Sequence, residues 1–301
     1  FREAIGVANY MEANYFSWYL YAWDDEVEDA ILQLLNHLDG YDLRSFELEL
    51  KQSRDLLKIL YQKVIPKRIR HDLGEYYTPD WLIDSTVSQT GYSGSEDERI
   101  FDPGCGSGGF LVECITRVRE NAEHGIDSDD LFQRIRTNVY GVDVNPVAVL
   151  TARTNYLLAT ADLIADHPDS RVDIPVFMAD SVITPTTEGQ GRLSGDSYKF
   201  STSSGVFELP EGLIEQDTFE QLVRDIEEAP DLDIGPLTEH LLGKERYSGY
   251  EREIRDFCNE LNEVPKDLRA IWARIMLNSS APLYIGKFDY IVGNPPWIKW
   301  E

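Results

Sequence analysis

Apolar residues recur at helical spacing near the start of the chain, at Val27, Ile31, Leu34, Leu35 and Leu38 and again at Leu56, Leu57, Leu60 and Tyr61. This pattern predicts two or three helices, broken near Asp39-Gly40. Aromatic residues crowd positions 10–23, where helix packing is a better account than a binding surface. From residue 73 the pattern changes to short apolar strands that alternate with helices. Ile100-Phe101 ends one buried strand, residues 139–145 (VYGVDVN) form a second, 176–180 (VFMAD) a third, and 288–297 carry a fourth. Helices are predicted over 80–87, 110–118 and 146–165. Such alternation implies an α/β class, a parallel sheet with helices on both faces. Between the third and fourth strands the pattern predicts a hairpin over 198–210, turning near Ser204-Gly205, and helices over 218–228, 246–263 and 266–278. The last of these sets Ile271, Trp272, Ile275 and Met276 on one side. The resulting divisions are 1–72 (helical), 73–185 (α/β core), 186–283 (insertion) and 284–301 (final strand and turn).

The first predicted strand runs directly into a glycine-dense turn, DPGCGSGGF at 102–110, and then into a helix. Gly104, Gly106 and Gly108 allow a tight turn and a close backbone approach to a ligand. A dinucleotide fold uses such a turn to approach a pyrophosphate, which a carboxylate at the strand end would repel. Asp102 instead suits a ligand with a positive amino group, such as the methionine part of S-adenosylmethionine. Asp143, at the end of the second strand, could accept both ribose hydroxyls, with Val144 and Pro146 beside the adenine ring. The gap between the two acids is about twice the roughly 20 residues of a dinucleotide fold. A longer first helix and a polar loop over 121–130 would fill it. Asp180, at the tip of the third strand, is placed to meet the adenine amino group.

The fourth strand ends in Asn294-Pro295-Pro296-Trp297. An amino group on a nucleobase is a poor nucleophile because its lone pair is delocalised into the ring. Two acceptors holding its hydrogens can pyramidalise the nitrogen and aim the lone pair at a sulfonium methyl. The Asn294 side-chain oxygen and the Pro295 carbonyl could be those acceptors, stiffened by consecutive prolines. Trp297 would then offer a flat face to a base swung out of its helix.

In this order the motifs resemble those of γ-type adenine-N6 DNA methyltransferases, as in type I modification subunits, fused type II restriction-methylation enzymes and phage-exclusion methyltransferases. GEYYTP at 74–79 matches the cofactor motif that precedes the glycine loop in that family. The resemblance implies a Rossmann-like S-adenosylmethionine-dependent fold, incomplete at its C-terminal side. It also implies a lid of Tyr76, Tyr77, Thr78 and Pro79 over the methionine end, and a target adenine flipped out of duplex DNA. A fragment lacking later strands and a target-recognition domain would have little activity alone. Asn-Pro-Pro-aromatic equally suits methyl transfer to a protein glutamine, RNA adenine or cytosine N4, and a cofactor-holding subunit without catalysis is a further alternative.

Charge complicates the picture. Asp and Glu number 54 against 28 Lys and Arg, a formal −26, whereas a nucleic-acid binder is usually basic. Arginines outnumber lysines by nineteen to nine. Few lysines under an acidic surface suggest adaptation to high salt; the alternative is that the DNA-contacting parts lie outside this chain. The basic segment KVIPKRIRH at 63–71 could meet phosphates, whereas Tyr247, Tyr250, Arg252 and Arg255 read more readily as ordinary helix surface than as a nucleic-acid path. Three cysteines without metal-like spacing suit a reduced cytoplasmic setting, and neither a metal site nor a membrane span is expected.

Overall fold

A computed structural model describes residues 9, 23–39, 78–123, 125–165, 173–181, 197–202, 205–214 and 216–295. The chain forms two compact units, Phe1–Val176 with Phe288–Glu301, and Phe177–Lys287. The segment at 63–71 lies outside the described residues.

The first described helix, α1 (Asp25–Asp39), ends where the sequence places its break. Helix α2 (Asp80–Thr90) starts after Pro79 and stops at Gly91, whose φ of 81° terminates it in the left-handed region. Strand β1 (Ile100–Asp102) leads through the glycine turn into α3 (Gly109–Asn121), whose buried residues Phe110, Leu111, Val112, Cys114, Ile115 and Val118 make a broad apolar face. The next element departs from expectation. Instead of a loop alone, a separate helix α4 (Ser128–Asn138) fills the space before β2 (Val139–Asp143). The Asp127 side chain accepts from the Asp129 amide at 2.9 Å to cap α4, and Leu131, Phe132 and Ile135 bury its inner face. Helix α5 (Pro146–Ala165) covers the predicted crossover, opened by Asn145 Oδ1 accepting from the Val147 amide at 2.9 Å.

The main sheet has the order β3-β2-β1-β6, with β3 at Val176–Met178 and β6 at Tyr290–Ile291. Both β2 and β6 run parallel to β1, with Phe101 opposite Tyr140 on one side and Ile291 on the other. The fourth strand is therefore much shorter than its apolar pattern suggests. Side chains secure it where few backbone bonds do: Asp289 accepts from the Arg99 amide at 2.9 Å, the Tyr290 hydroxyl donates to Glu98 at 3.1 Å, and the Arg99 guanidinium lies 4.8 Å from the centre of the Phe288 ring. Phe288 in turn stacks on Phe101 at 4.9 Å.

The second unit contains the antiparallel hairpin β4 (Ser197–Thr202) and β5 (Gly205–Pro210). Gly205 is already paired with Thr202, and residues 203–204 lie outside the described residues. Four helices follow: α6 (Gln216–Glu227), α7 (Ile234–Leu242), α8 (Glu251–Asn262) and α9 (Arg269–Tyr284). Helix α7 was not foreseen. The predicted 246–263 helix is broken, because Gly249 at φ 95° interrupts the chain between a short 3-10 turn at Glu245–Tyr247 and α8. In α9 the buried face includes Ala273, Met276, Leu277, Ser280 and Ala281; Trp272 packs against this core while only partly buried, and Ile271 and Ile275 are only partly buried. Arg274 is also buried there, held by the Glu227 carboxylate through two bonds of 2.9 and 2.7 Å. Tyr247 is likewise no surface residue. It is 2% exposed and donates to the buried Asp225 carboxylate, which also receives the Lys244 ammonium at 2.9 Å. Arg252 and Arg255, in contrast, are exposed and pair with Asp256 and Glu239.

Candidate functional site at the ends of β1 and β6

The order β3-β2-β1-β6 means that the chain builds outward from β1 on one side and then returns to β6 on the other. A reversal of this kind opens a crevice beyond the carboxyl ends of the two strands between which the order reverses, β1 and β6, where ligands of open α/β sheets bind. Here those ends carry Asp102 and Gly293-Asn294.

Asp102 is 1% exposed. Its Oδ1 accepts from the Gly104 amide at 3.1 Å, while Oδ2 is buried with no hydrogen-bond partner among the described residues. Burial, with a further push from the nearby Asp143 carboxylate, raises its pKa from 3.8 to about 8. A buried acceptor without a donor is costly, and it fits a ligand that brings an ammonium.

The glycine turn is built for close approach. Gly106 sits at φ 52° with open space where a side chain would be, and a side chain on Gly108, at φ 81°, would lie 3.1 Å from the Ala152 backbone of α5. Cys105 anchors the turn to β2 through its amide, 2.9 Å from the Val142 carbonyl, and the Asn155 amide donates to Ser107 O at 2.8 Å. Burial and the two neighbouring carboxylates push the Cys105 thiol well above its ordinary pKa, so it stays a neutral packing group.

Asp143 has a role that its position in the sequence does not reveal. Its Oδ2 accepts from the Gly106 amide at 2.8 Å and its Oδ1 from the Asn145 amide at 2.8 Å, tying the glycine turn to the loop after β2. Val144 beside it is an exposed apolar side chain, 62% accessible.

At β6, the Val292 amide donates to the Phe101 carbonyl at 2.9 Å. A Cβ on Gly293 would fall 2.6 Å from Asp102 Oδ1, so the backbone just before the Asn-Pro-Pro run lies directly against the buried carboxyl. Gly293 joins the candidate site without having been picked out by pattern; its only signal was a glycine immediately before the Asn-Pro-Pro run. Asn294 Nδ2 donates to Thr78 Oγ1 at 3.2 Å. The structure thus brings together Thr78, Asp102, Gly104, Gly106, Asp143 and Asn294. Pro79 and Pro295 are exposed and Gly108 opens α3. Asp180 belongs to the second unit, partly buried two residues beyond β3. Tyr76, Tyr77, Pro296 and Trp297 lie outside the described residues.

Residues 52–191 match the N-6 DNA Methylase family, and residues 137–301, more than half of the chain, match the Eco57I restriction-modification methylase family. The chain belongs to the Eco57I methylase family. Relatives of this Eco57I-family chain include the adenine-specific methyltransferase PglX of Streptomyces coelicolor, 32% identical over 131 residues, covering 41% of this chain and 10% of that protein. The EcoEI type I restriction enzyme methylase subunit of Escherichia coli is 28% identical over 127 residues, 42% of this chain and 24% of that one. The chain therefore spans a quarter or less of these relatives' length. Among solved structures, one described as a type I modification subunit from Vibrio vulnificus gives a TM-score of 0.35 at 18% identity, covering 51% of this chain and 28% of that one, too slight a likeness to add to the assignment. The α/β fold of this Eco57I-family chain, with its parallel sheet, is that of a methyltransferase.

Proposed function

We propose that this chain is part of an adenine-N6 DNA methyltransferase of the restriction-modification or phage-defence type, using S-adenosylmethionine. One observation carries the proposal: β1 and β6 pair in parallel, so the glycine turn, with the buried Asp102 carboxyl whose Oδ2 has no hydrogen-bond partner among the described residues, and the Asn294-Pro295 segment open onto the same crevice. The cofactor supplies a methyl group on a positively charged sulfur. Asp102 holds its amino group, Gly104 and Gly106 admit it closely, Asp143 accepts from its ribose, and Val144 covers its base. Asn294 Oδ1 and the Pro295 carbonyl accept the two hydrogens of the acceptor amine, which directs the nitrogen lone pair outward. Pro296 and Trp297 belong to the same motif, and Tyr76, Tyr77 and Asp180 are proposed cofactor contacts on the strength of the resemblance alone.

The acidic composition supports a cell interior rich in salt, where screening weakens repulsion among carboxylates. No helix among the described residues is long and apolar enough to cross a membrane, and three buried free cysteines suit a reducing cytoplasm.

The test is methyl transfer by the full-length enzyme from labelled S-adenosylmethionine, with duplex DNA, RNA and protein offered side by side and the methyl group located by mass spectrometry. N6-methyladenine in DNA is expected. Asn294→Ala should reduce transfer about 100-fold to 1000-fold while cofactor affinity holds. Label confined to RNA or to protein glutamine would overturn the substrate assignment, and full transfer by the Asn294 variant would overturn the mechanism.

A further inference from the structure

The Asn side chain is two-sided, with an acceptor oxygen and a donor NH2 that nearly superpose when the amide turns over. Only one orientation serves an acceptor amine, because NH2 against NH2 sets donor against donor. The backbone at Asn294 is already constrained, by the Val292 amide on Phe101 O and by Gly293 lying against Asp102. Its side chain is held by a residue 216 positions away, since Asn294 Nδ2 donates to Thr78 Oγ1 at 3.2 Å.

Resting on the functional reading above, we propose that Thr78 is a positioning residue: its hydroxyl, bonded to the Asn294 side-chain amide, fixes the torsion that holds this amide beside the acceptor amine. Thr78 can do this because it is tied to the scaffold. Pro79 after it has φ −62° and its carbonyl accepts from the Leu82 and Ile83 amides, beginning α2. Helix α2 is bolted to α3 by Arg117, whose Nη2 donates to Asp84 Oδ1 at 3.0 Å and Ser88 Oγ at 2.9 Å while Nε donates to Glu113 at 3.0 Å. Ile83 fills the space beside Gly109, where its Cδ1 would be 2.7 Å from an added Cβ. The Thr78 hydroxyl is thereby fixed relative to the start of α3, and through it to the glycine turn. The same short segment serves cofactor approach and amide orientation, which links the two halves of the site.

The test uses the full-length enzyme at saturating S-adenosylmethionine, comparing single-turnover methyl transfer with cofactor affinity measured by calorimetry. Thr78→Val keeps the shape and removes the hydroxyl; at saturating cofactor it should slow transfer about 10-fold to 100-fold, a loss that its change in cofactor affinity does not account for. Thr78→Ser, which restores the hydroxyl, should recover the rate to within about threefold. A Thr78→Val enzyme that transfers at the wild-type rate overturns the role. So does one that loses affinity alone, since Thr78 would then serve only the cofactor. Should Thr78→Val fail to bind cofactor at all, Thr78→Ala against Thr78→Ser carries the comparison, and equal rates for that pair overturn the role. Failure of the functional reading is distinguishable: the wild-type enzyme itself would then methylate no adenine.

Discussion

Replacing Asp102 by Asn separates what the buried carboxyl does for binding from what it does to stability. Asn keeps the shape and retains an oxygen for the Gly104 amide, but it cannot ionise. In the folded wild-type protein the carboxyl is pushed up to about 8 by burial first and by Asp143 second, whereas the unfolded chain ionises near 3.8. Below the lower value both states hold the proton and the carboxyl contributes no pH dependence. Between the two values the unfolded state releases the proton and the folded state keeps it, so stability falls as pH rises, by at most about 1.4 kcal/mol per unit. Above the higher value both states are ionised and the loss is constant. Between about pH 5.5 and pH 8 the stability advantage of Asp102→Asn over wild type should therefore grow by about 3 kcal/mol, and this pH-dependent advantage should vanish below the lower value. Urea denaturation of both proteins across that range, without cofactor, measures the difference. Affinity for S-adenosylmethionine should move the other way, weakening by about 1.5 to 3 kcal/mol as a charge-assisted bond is lost. A stability difference that does not vary with pH would refute the buried-carboxyl argument, and unchanged affinity would remove Asp102 from the cofactor site.

Two other outcomes are expected. Gly293→Ala would set a Cβ 2.6 Å from Asp102 Oδ1. It should cost about 1 to 3 kcal/mol in a thermal or urea melt, with a fall in transfer beyond what lost stability explains; a neutral result would mean that β6 shifts freely. With a formal charge of −26, stability should rise with salt. A melting temperature that climbs from about 0.1 M to above 1 M salt supports the halophilic reading, and a flat or falling one removes it.

What the sequence could disclose depended on how local the cause was. Helix α5 has its proline at the first position and Asn145 as cap, both adjacent in sequence, and its bounds at Pro146–Ala165 were legible. Helix α4 was not, because Leu131, Phe132 and Ile135 are sparse among charged neighbours and bury only once α3 and β2 are in place. Gly249 broke the predicted 246–263 helix because a single left-handed residue outweighs the apolar spacing on either side. Tyr247 looked like surface until a partner 22 residues earlier, Asp225, took its hydroxyl. At the candidate site the residue types were readable, but not their neighbours: Gly293 against Asp102 and Thr78 on Asn294 depend on β6 returning to β1.

Asp143 holds a backbone amide on each of its two oxygens, one from the glycine turn and one from the loop after β2. A carboxylate bound in this way cannot swing. The rotational freedom that a loose acidic side chain would surrender on meeting a hydroxyl, about 0.5 to 1.5 kcal/mol, has been surrendered during folding instead. The two loops also cannot open separately without breaking one of those bonds, so they greet a ligand as a single rigid rim.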